Sequence, residues 1–201
     1  MKTSRLRRLI QHNLAGLLAI LLIAPVQAAD FPQTQDITGF DKVLSRSGAA
    51  FISGQPTAEG LARMPAAGVT AVITLRGDNE QPDIGYDEAA SASDLGLAYY
   101  SLPLSGDDSY SPAVLAQFIA LYQEHDGNIL LHCGSARRAS FLWTAFLVKH
   151  EGMDLATAQQ HGMAINLGKS PVAGLLGQNL ELSYQSPAPA NSDDATTTSP
   201  E

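Results

Sequence analysis

Hydrophobic and polar positions along the chain alternate between two periods. Val69 to Leu75 is rich in β-branched residues, and Ile129 to Leu131 is a short apolar run. Runs of that length read as buried strands. Phe40 to Phe51 is expected to hold a first strand, with Phe51-Ile52 entering the core, and Leu97 to Leu104 a further one. Between them the spacing turns helical. Val114, Leu115, Phe118, Ile119 and Tyr122 recur at three and four, as do Leu142, Trp143, Phe146 and Leu147. Each set predicts a helix with one apolar face.

Local signals place the ends of these elements. Thr57 reads as the cap of a helix through Leu61 and Met64, which Pro65 and Gly68 end. Tyr86 to Asp94 reads as helical and Arg76 to Pro82 as a polar loop. Ser111 is expected to cap a helix that Pro112 opens, and Asp154 another running through Ala164. Gly168 to Leu180 predicts a last short helix. Strands that alternate with helices predict an α/β fold, a mostly parallel central sheet flanked by helices.

Both ends fall outside this pattern. Met1 to Asn13 carries Lys2, Arg5, Arg7 and Arg8 without an acid, and Leu14 to Val26 is apolar but short for a membrane span. Val26-Gln27-Ala28 offers small residues around a cut after Ala28. Residues 1–28 are therefore expected to be a signal peptide, with residues 29–182 as one domain exported to the periplasm or secreted. No stable membrane insertion is expected after cleavage. From 183 to 201 the chain is Ser/Pro/Ala/Thr-rich and predicts a disordered tail.

Charge narrows the partners. The whole chain carries 12 Lys and Arg against 20 Asp and Glu, net −8; loss of four basic groups with the signal leaves eight against twenty, net −12. Such a field repels phosphates at long range, so nucleic acid is not an expected partner. A phosphorylated protein or small-molecule substrate has to be held by local charge.

That charge stands in one stretch. Ile129-Leu130-Leu131 meets His132-Cys133-Gly134-Ser135-Ala136-Arg137-Arg138, which feeds the helix bearing Trp143. A helix N-terminus after a strand collects unpaired N–H groups and partial positive charge, and binds anions. Cys133 is the one cysteine of the chain. A thiol in that field ionises more readily, and the thiolate is the nucleophile. Arg138 offers a planar fork to two oxygens of a phosphate. A lone cysteine in an exported protein also fits burial or a disulfide-linked dimer. His12, His125, His150 and His161 lack metal-ligand spacing with Cys133, and His150 and His161 are expected on helix surfaces. No cofactor is expected.

Three segments together carry a resemblance: Ser53-Gly54-Gln55-Pro56-Thr57; Gly68 to Arg76 followed by Asp87-Glu88; and His132 to Arg138 with Trp143. Over roughly residues 40 to 168 the chain resembles the bacterial phosphatase-like family related to the N-terminal part of beta-lactamase hydrolase-like proteins, a branch of the protein tyrosine phosphatase fold. The resemblance implies a cysteine-dependent phosphatase. Cys133 would be the nucleophile and Arg138 the phosphate clamp. The N–H groups of Gly134, Ser135, Ala136 and Arg137 would form the cradle, and His132 would orient it. The loop Ser105 to Ser111 would carry the general acid, with Asp107 the first choice and Asp108 in reserve. It also implies that Arg76 lies near the site, where an ion pair with Glu80, Asp87 or Glu88 is the favoured role. Three departures stand out. Tyrosine phosphatases commonly place five residues before the arginine, which would fall on Ala139; the spacing of four to Arg138 fits the smaller family. The family commonly has glycine at Ala136, and the hydroxyl that often follows the arginine is missing at Ala139, with Ser140 one place late. Two other readings of the loop stay open: a rhodanese-like sulfurtransferase working through a Cys133 persulfide, and a phosphate-binding module without turnover.

Overall fold

The computed structural model describes residues 30–168 and 172–177. The signal expected at 1–28 and the tail expected from 183 lie outside them. The strands are β1 (Gln33–Thr34), β2 (Leu44–Ser47), β3 (Ala50–Ser53), β4 (Ala71–Thr74), β5 (Ala98–Ser101) and β6 (Ile129–His132). The helices are α1 (Ala58–Arg63), α2 (Glu88–Asp94), α3 (Pro112–Glu124), α4 (Arg137–Lys149), α5 (Leu155–Ile165) and α6 (Val172–Leu176). Short 3₁₀ turns cover Pro65–Ala67, Asp78–Ile84 and Asp107–Ser109.

One sheet of six strands runs in the order β1-β2-β3-β6-β4-β5. The pairs β3–β6, β6–β4 and β4–β5 are parallel, while β1–β2 and β2–β3 are antiparallel. The expected mostly parallel sheet is present, with an antiparallel edge. The single strand expected over 40–51 is instead part of a hairpin. Ser47 pairs with Ala50 across Gly48-Ala49, and Gly48 takes φ +60°, which closes a two-residue turn. The polar loop expected after Arg76 is the 3₁₀ turn Asp78–Ile84, closed by Gly85 at φ +82°.

The central strands are buried on both faces, which is why they read as continuous apolar runs. Ile52, Ile73, Ile129 and Leu131 face α3 to α6, while Phe51, Val72 and Leu130 face Leu61, Met64 and Ala92 on the α1–α2 side. On the first side Phe118, Tyr122, Trp143 and Phe146 stack with centroids 4.5–6.5 Å apart, joined by His150 at 5.0 Å from Phe146.

Three helices start on side-chain caps, two of them, Thr57 and Asp154, as expected and the third, Asp87, one residue inside the segment that reads as helical. Thr57 Oγ1 accepts from Gly60 N at 3.2 Å, Asp87 Oδ1 from Ala90 N at 2.9 Å, and Asp154 Oδ1 from Thr157 N at 3.0 Å. Ser111 precedes Pro112 as expected, but its hydroxyl caps nothing. His161 corrects another expectation. It is 6% exposed rather than on the helix surface, with the Phe31 ring covering it at 4.9 Å; burial holds its pKa below the ordinary value. Phe31 precedes the domain's first strand, and no periodicity links it to a histidine 130 positions away.

Candidate active site

The loop after β6 opens at the carboxyl ends of β3, β6 and β4, where open α/β sheets gather their ligands. The order of strands alone therefore brings Gly54-Gln55, Arg76 and His132–Arg138 together, three segments widely separated in sequence.

The backbone of the loop is turned by its neighbours. Cys133 N donates to Ser53 O at 3.3 Å. The Gly134 carbonyl accepts from Gln55 N at 3.3 Å and from Lys42 Nζ at 3.2 Å, and the Ser135 carbonyl from Asn166 Nδ2 at 2.6 Å. In a planar trans peptide the C=O and the next N–H point opposite ways. Anchoring the Gly134 carbonyl outward therefore turns the Ser135 N–H toward the concave side. Arg137 and Arg138 open α4, and among the described residues their N–H groups and that of Ser135 find no acceptor. No side chain caps this helix: the cap position is Ala136, at φ +67° and fully buried. The place of a cap is thus held by a bare helix N-terminus and its dipole.

Cys133 is 1% exposed, on the α3–α6 side of the sheet. Cys133 stands close enough to the Arg138 guanidinium to raise its pKa. Arg138 is tightly engaged. Its Nη1 donates to Leu75 O at 3.1 Å, Leu104 O at 3.2 Å and Glu80 Oε1 at 2.6 Å, and its Nη2 to Glu80 Oε2 at 2.7 Å. These bonds occupy the Nη1–Nη2 edge. The Nε–Nη2 edge stays open, and Nη2 lies 3.9 Å from where a Gly134 Cβ would stand. A fork with one edge clamped and the other facing the loop can bind two anion oxygens. The Glu80 hydrogen bond holds Arg138 well above its ordinary pKa against the effect of burial, and Cys133 adds to it. The same bond pulls the Glu80 carboxyl down to about 2, again against burial.

Glu80 is where the Arg76 expectation resolves. Arg76 is buried; its Nη2 donates to Glu80 O at 2.6 Å, its Nε stands 3.8 Å from Glu80 Oε2, and its Nη1 donates to Gln55 Oε1 at 3.1 Å. Asp87 and Glu88 are not its partners. Asp87 caps α2, and Glu88 turns to His132, with Oε2 3.4 Å from Nε2. Burial would raise the Glu88 pKa, but the His132 charge and hydrogen bonds from Tyr99 and Gln55 hold it below the ordinary value.

Ser135 and Arg137 are exposed at the rim. The Arg137 side chain leaves the loop to lie over Gly168, where a Cβ would meet its Cζ at 3.3 Å, so this residue brings the loop its amide alone. Ser140 is buried and donates to Arg137 O at 2.8 Å, away from the role of the missing hydroxyl. Asp107 is exposed in the turn Asp107–Ser109, beside Tyr110. Burial raises the Tyr110 pKa; Arg138 opposes this, and Cys133 and Asp107 add to it. The Tyr110 hydroxyl thus feels the charge of all three groups. Tyr110, Lys42 and Asn166 escaped the sequence reading, because their contacts to the loop join positions far apart in the chain.

The comparisons follow this geometry. The family model described as beta-lactamase hydrolase-like protein, phosphatase-like domain, matches residues 45–149. A beta-lactamase hydrolase-like protein of Xylella fastidiosa is 33% identical over 123 residues, 59% of this chain; the chain spans 28% of the length of that relative. Among solved structures, P. aeruginosa TpbA in complex with phosphotyrosine superposes with a TM-score of 0.53 at 21% identity, covering 73% of this chain and 93% of that one. PTPMT1 in complex with PI(5)P does so with 0.52 at 18% identity, covering 64% and 88%. The fold is thus that of the tyrosine phosphatase-like proteins.

Proposed function

Because the chain belongs to the phosphatase-like domain family of beta-lactamase hydrolase-like proteins, we propose that it is a cysteine-dependent phosphatase of phosphate monoesters. The observation that carries this reading is what one short loop gathers: buried Cys133, the unpaired amides of Ser135, Arg137 and Arg138, and the Arg138 guanidinium, clamped by Glu80 along one edge only. In the first step the Cys133 thiolate attacks phosphorus. The S–P bond forms, the P–O bond to the alcohol breaks, and Asp107 gives that oxygen its proton. In the second step Asp107 takes a proton from water, whose oxygen displaces sulfur and releases inorganic phosphate. The loop amides and Arg138 hold the charge of the three equatorial oxygens. TpbA with phosphotyrosine and PTPMT1 with PI(5)P support a phosphorylated protein or small-molecule substrate.

A second reading has its own support. Ala139 has no hydroxyl and that of Ser140 is turned to the Arg137 carbonyl, which fits a module that binds phosphate without turning it over. One experiment separates the two. The purified chain is assayed on a panel of phosphate esters with Cys133→Ser and Asp107→Asn. We expect Cys133→Ser to abolish turnover. Asp107→Asn should lower it about 100-fold on alkyl phosphates and far less on esters of acidic phenols, whose oxygen leaves unprotonated. Turnover that survives Cys133→Ser sinks the phosphatase mechanism; binding without turnover by the unaltered chain supports the second reading.

A further inference from the structure

The reaction so described leaves one buried charge without a task. Glu88 is the first residue of α2 and 2% exposed. Its Oε1 accepts from Gln55 Nε2 at 2.6 Å and Tyr86 OH at 3.1 Å, and its Oε2 from Tyr99 OH at 3.0 Å. The fourth neighbour is His132 Nε2, at 3.4 Å from Oε2. A carboxylate is costly to bury, and two well-packed apolar groups commonly serve a fold as well. Here parts of three segments converge to keep this carboxylate charged. His132 in turn is fully buried and is bonded through the chain to Cys133.

We propose that Glu88 is a positioning residue for the phosphatase chemistry above, on which this inference rests: it fixes the His132 ring and thereby supports the Cys133 thiolate. A carboxylate with donors on both oxygens only accepts, so it favours the N–H side of the imidazole. The carboxylate, itself fixed by Gln55, Tyr86 and Tyr99, then holds the ring in one orientation. At 3.4 Å the contact is electrostatic, and among the described residues neither ring nitrogen has a hydrogen-bond partner. A carboxylate also favours positive charge on a ring that faces it, and positive charge beside a thiol favours the thiolate.

Other charges face the same place and set the background. Arg138 comes from α4, Arg76 and Glu80 from the segment after β4, Asp107 and Tyr110 from the turn before α3, and Lys42 from before β2. All of them approach from the loop side. Glu88 approaches His132 from the α2 side, held there by Tyr86 and Tyr99, so a change at Glu88 acts through the ring.

The test reads the sulfur directly and needs no turnover. The rate of Cys133 alkylation by iodoacetamide is followed against pH in the full chain. Glu88→Gln keeps the size but removes the charge, and we expect the pH of half-maximal rate to move up by about one unit. Glu88→Asp, which keeps the charge and shortens the reach, should move it by less and serves if the amide variant does not fold. In a His132→Asn background Glu88→Gln should add no further shift. Coincident profiles for the unaltered chain and Glu88→Gln, or an equal shift in the His132→Asn background, overturn the proposal. Absent phosphate-ester turnover with the expected alkylation shifts sinks the phosphatase reading alone and leaves the Glu88–His132 coupling standing.

Discussion

Ala136 holds φ at +67°, where an L side chain crowds the following carbonyl at a cost of about 1–2 kcal/mol. Glycine would remove that strain, yet Ala136→Gly is expected to change stability by less than about 1 kcal/mol. The buried methyl is worth about 0.8 kcal/mol and the added freedom of the unfolded chain about 0.5–1 kcal/mol in the other direction. Urea denaturation of the two chains measures the difference; a gain well above that bound means that the loop is more strained than its packing repays. Glu80 sets a second expectation at this scale. Its carboxyl is depressed from an ordinary 4.5 to about 2, so its contribution is present above pH 4.5 and is lost as pH falls from there toward 2. Glu80→Gln should cost about 1 kcal/mol at pH 7, a figure reduced for a side chain 28% exposed, and almost nothing at pH 2. Denaturation at both values checks it. The cysteine, the arginine and the histidine of the loop were legible from their spacing. Glu80 was legible as a partner of Arg76, but its two-fold bond to Arg138 was not.

Elements whose ends depend on adjacent residues followed their sequence signals, and those that depend on distant residues did not. Thr57, Asp87 and Asp154 cap their own helices, because the bond spans three residues. The start of α4 has no such residue, and its amides face the loop. The hairpin over 44–53 was read as one strand because its turn is only two residues long. How α4 and α5 meet is decided by Gly162. A methyl there would stand 2.2 Å from Thr144 Oγ1 and 3.0 Å from Leu167. Thr144 is fully buried and donates to Ser140 O at 2.8 Å, so it has little room to give way. Gly162→Ala should cost about 1–3 kcal/mol in thermal or chemical denaturation. A variant as stable as the parent means that the helices part without penalty. Since Asn166, which anchors the Ser135 carbonyl, follows α5 directly, the same variant tests how firmly that helix end braces the loop.

The whole molecule carries a net charge of −8, opposite to what an anionic substrate would seek. Attraction is confined to the few angstroms around Arg138 and the helix N-terminus, while the long-range field repels. Raising the ionic strength from 0.01 to 0.1 M shortens the screening length from about 30 to about 10 Å. The repulsion fades first, so kcat/KM for a dianionic ester should rise, by roughly two-fold, over that range. A fall with added salt would show that the mouth of the site attracts anions from afar. Among the described residues no helix is long and apolar enough to cross a membrane.

By itself the sequence determined what depends on neighbours along the chain: the apolar runs that become the central strands, two of the helix caps, and a cysteine and an arginine with four residues between them at a strand–helix junction. Those are matters of period and local bonding, and a single chain displays them. Tertiary structure alone decided which distant groups serve that loop. The strand order β3-β6-β4 brings Gln55, Arg76 and Glu80 beside it, and the packing of α2 on the sheet brings Glu88 to His132. Such pairings are set by which surfaces bury against one another, and a charge carries no mark in the sequence of the partner it will meet.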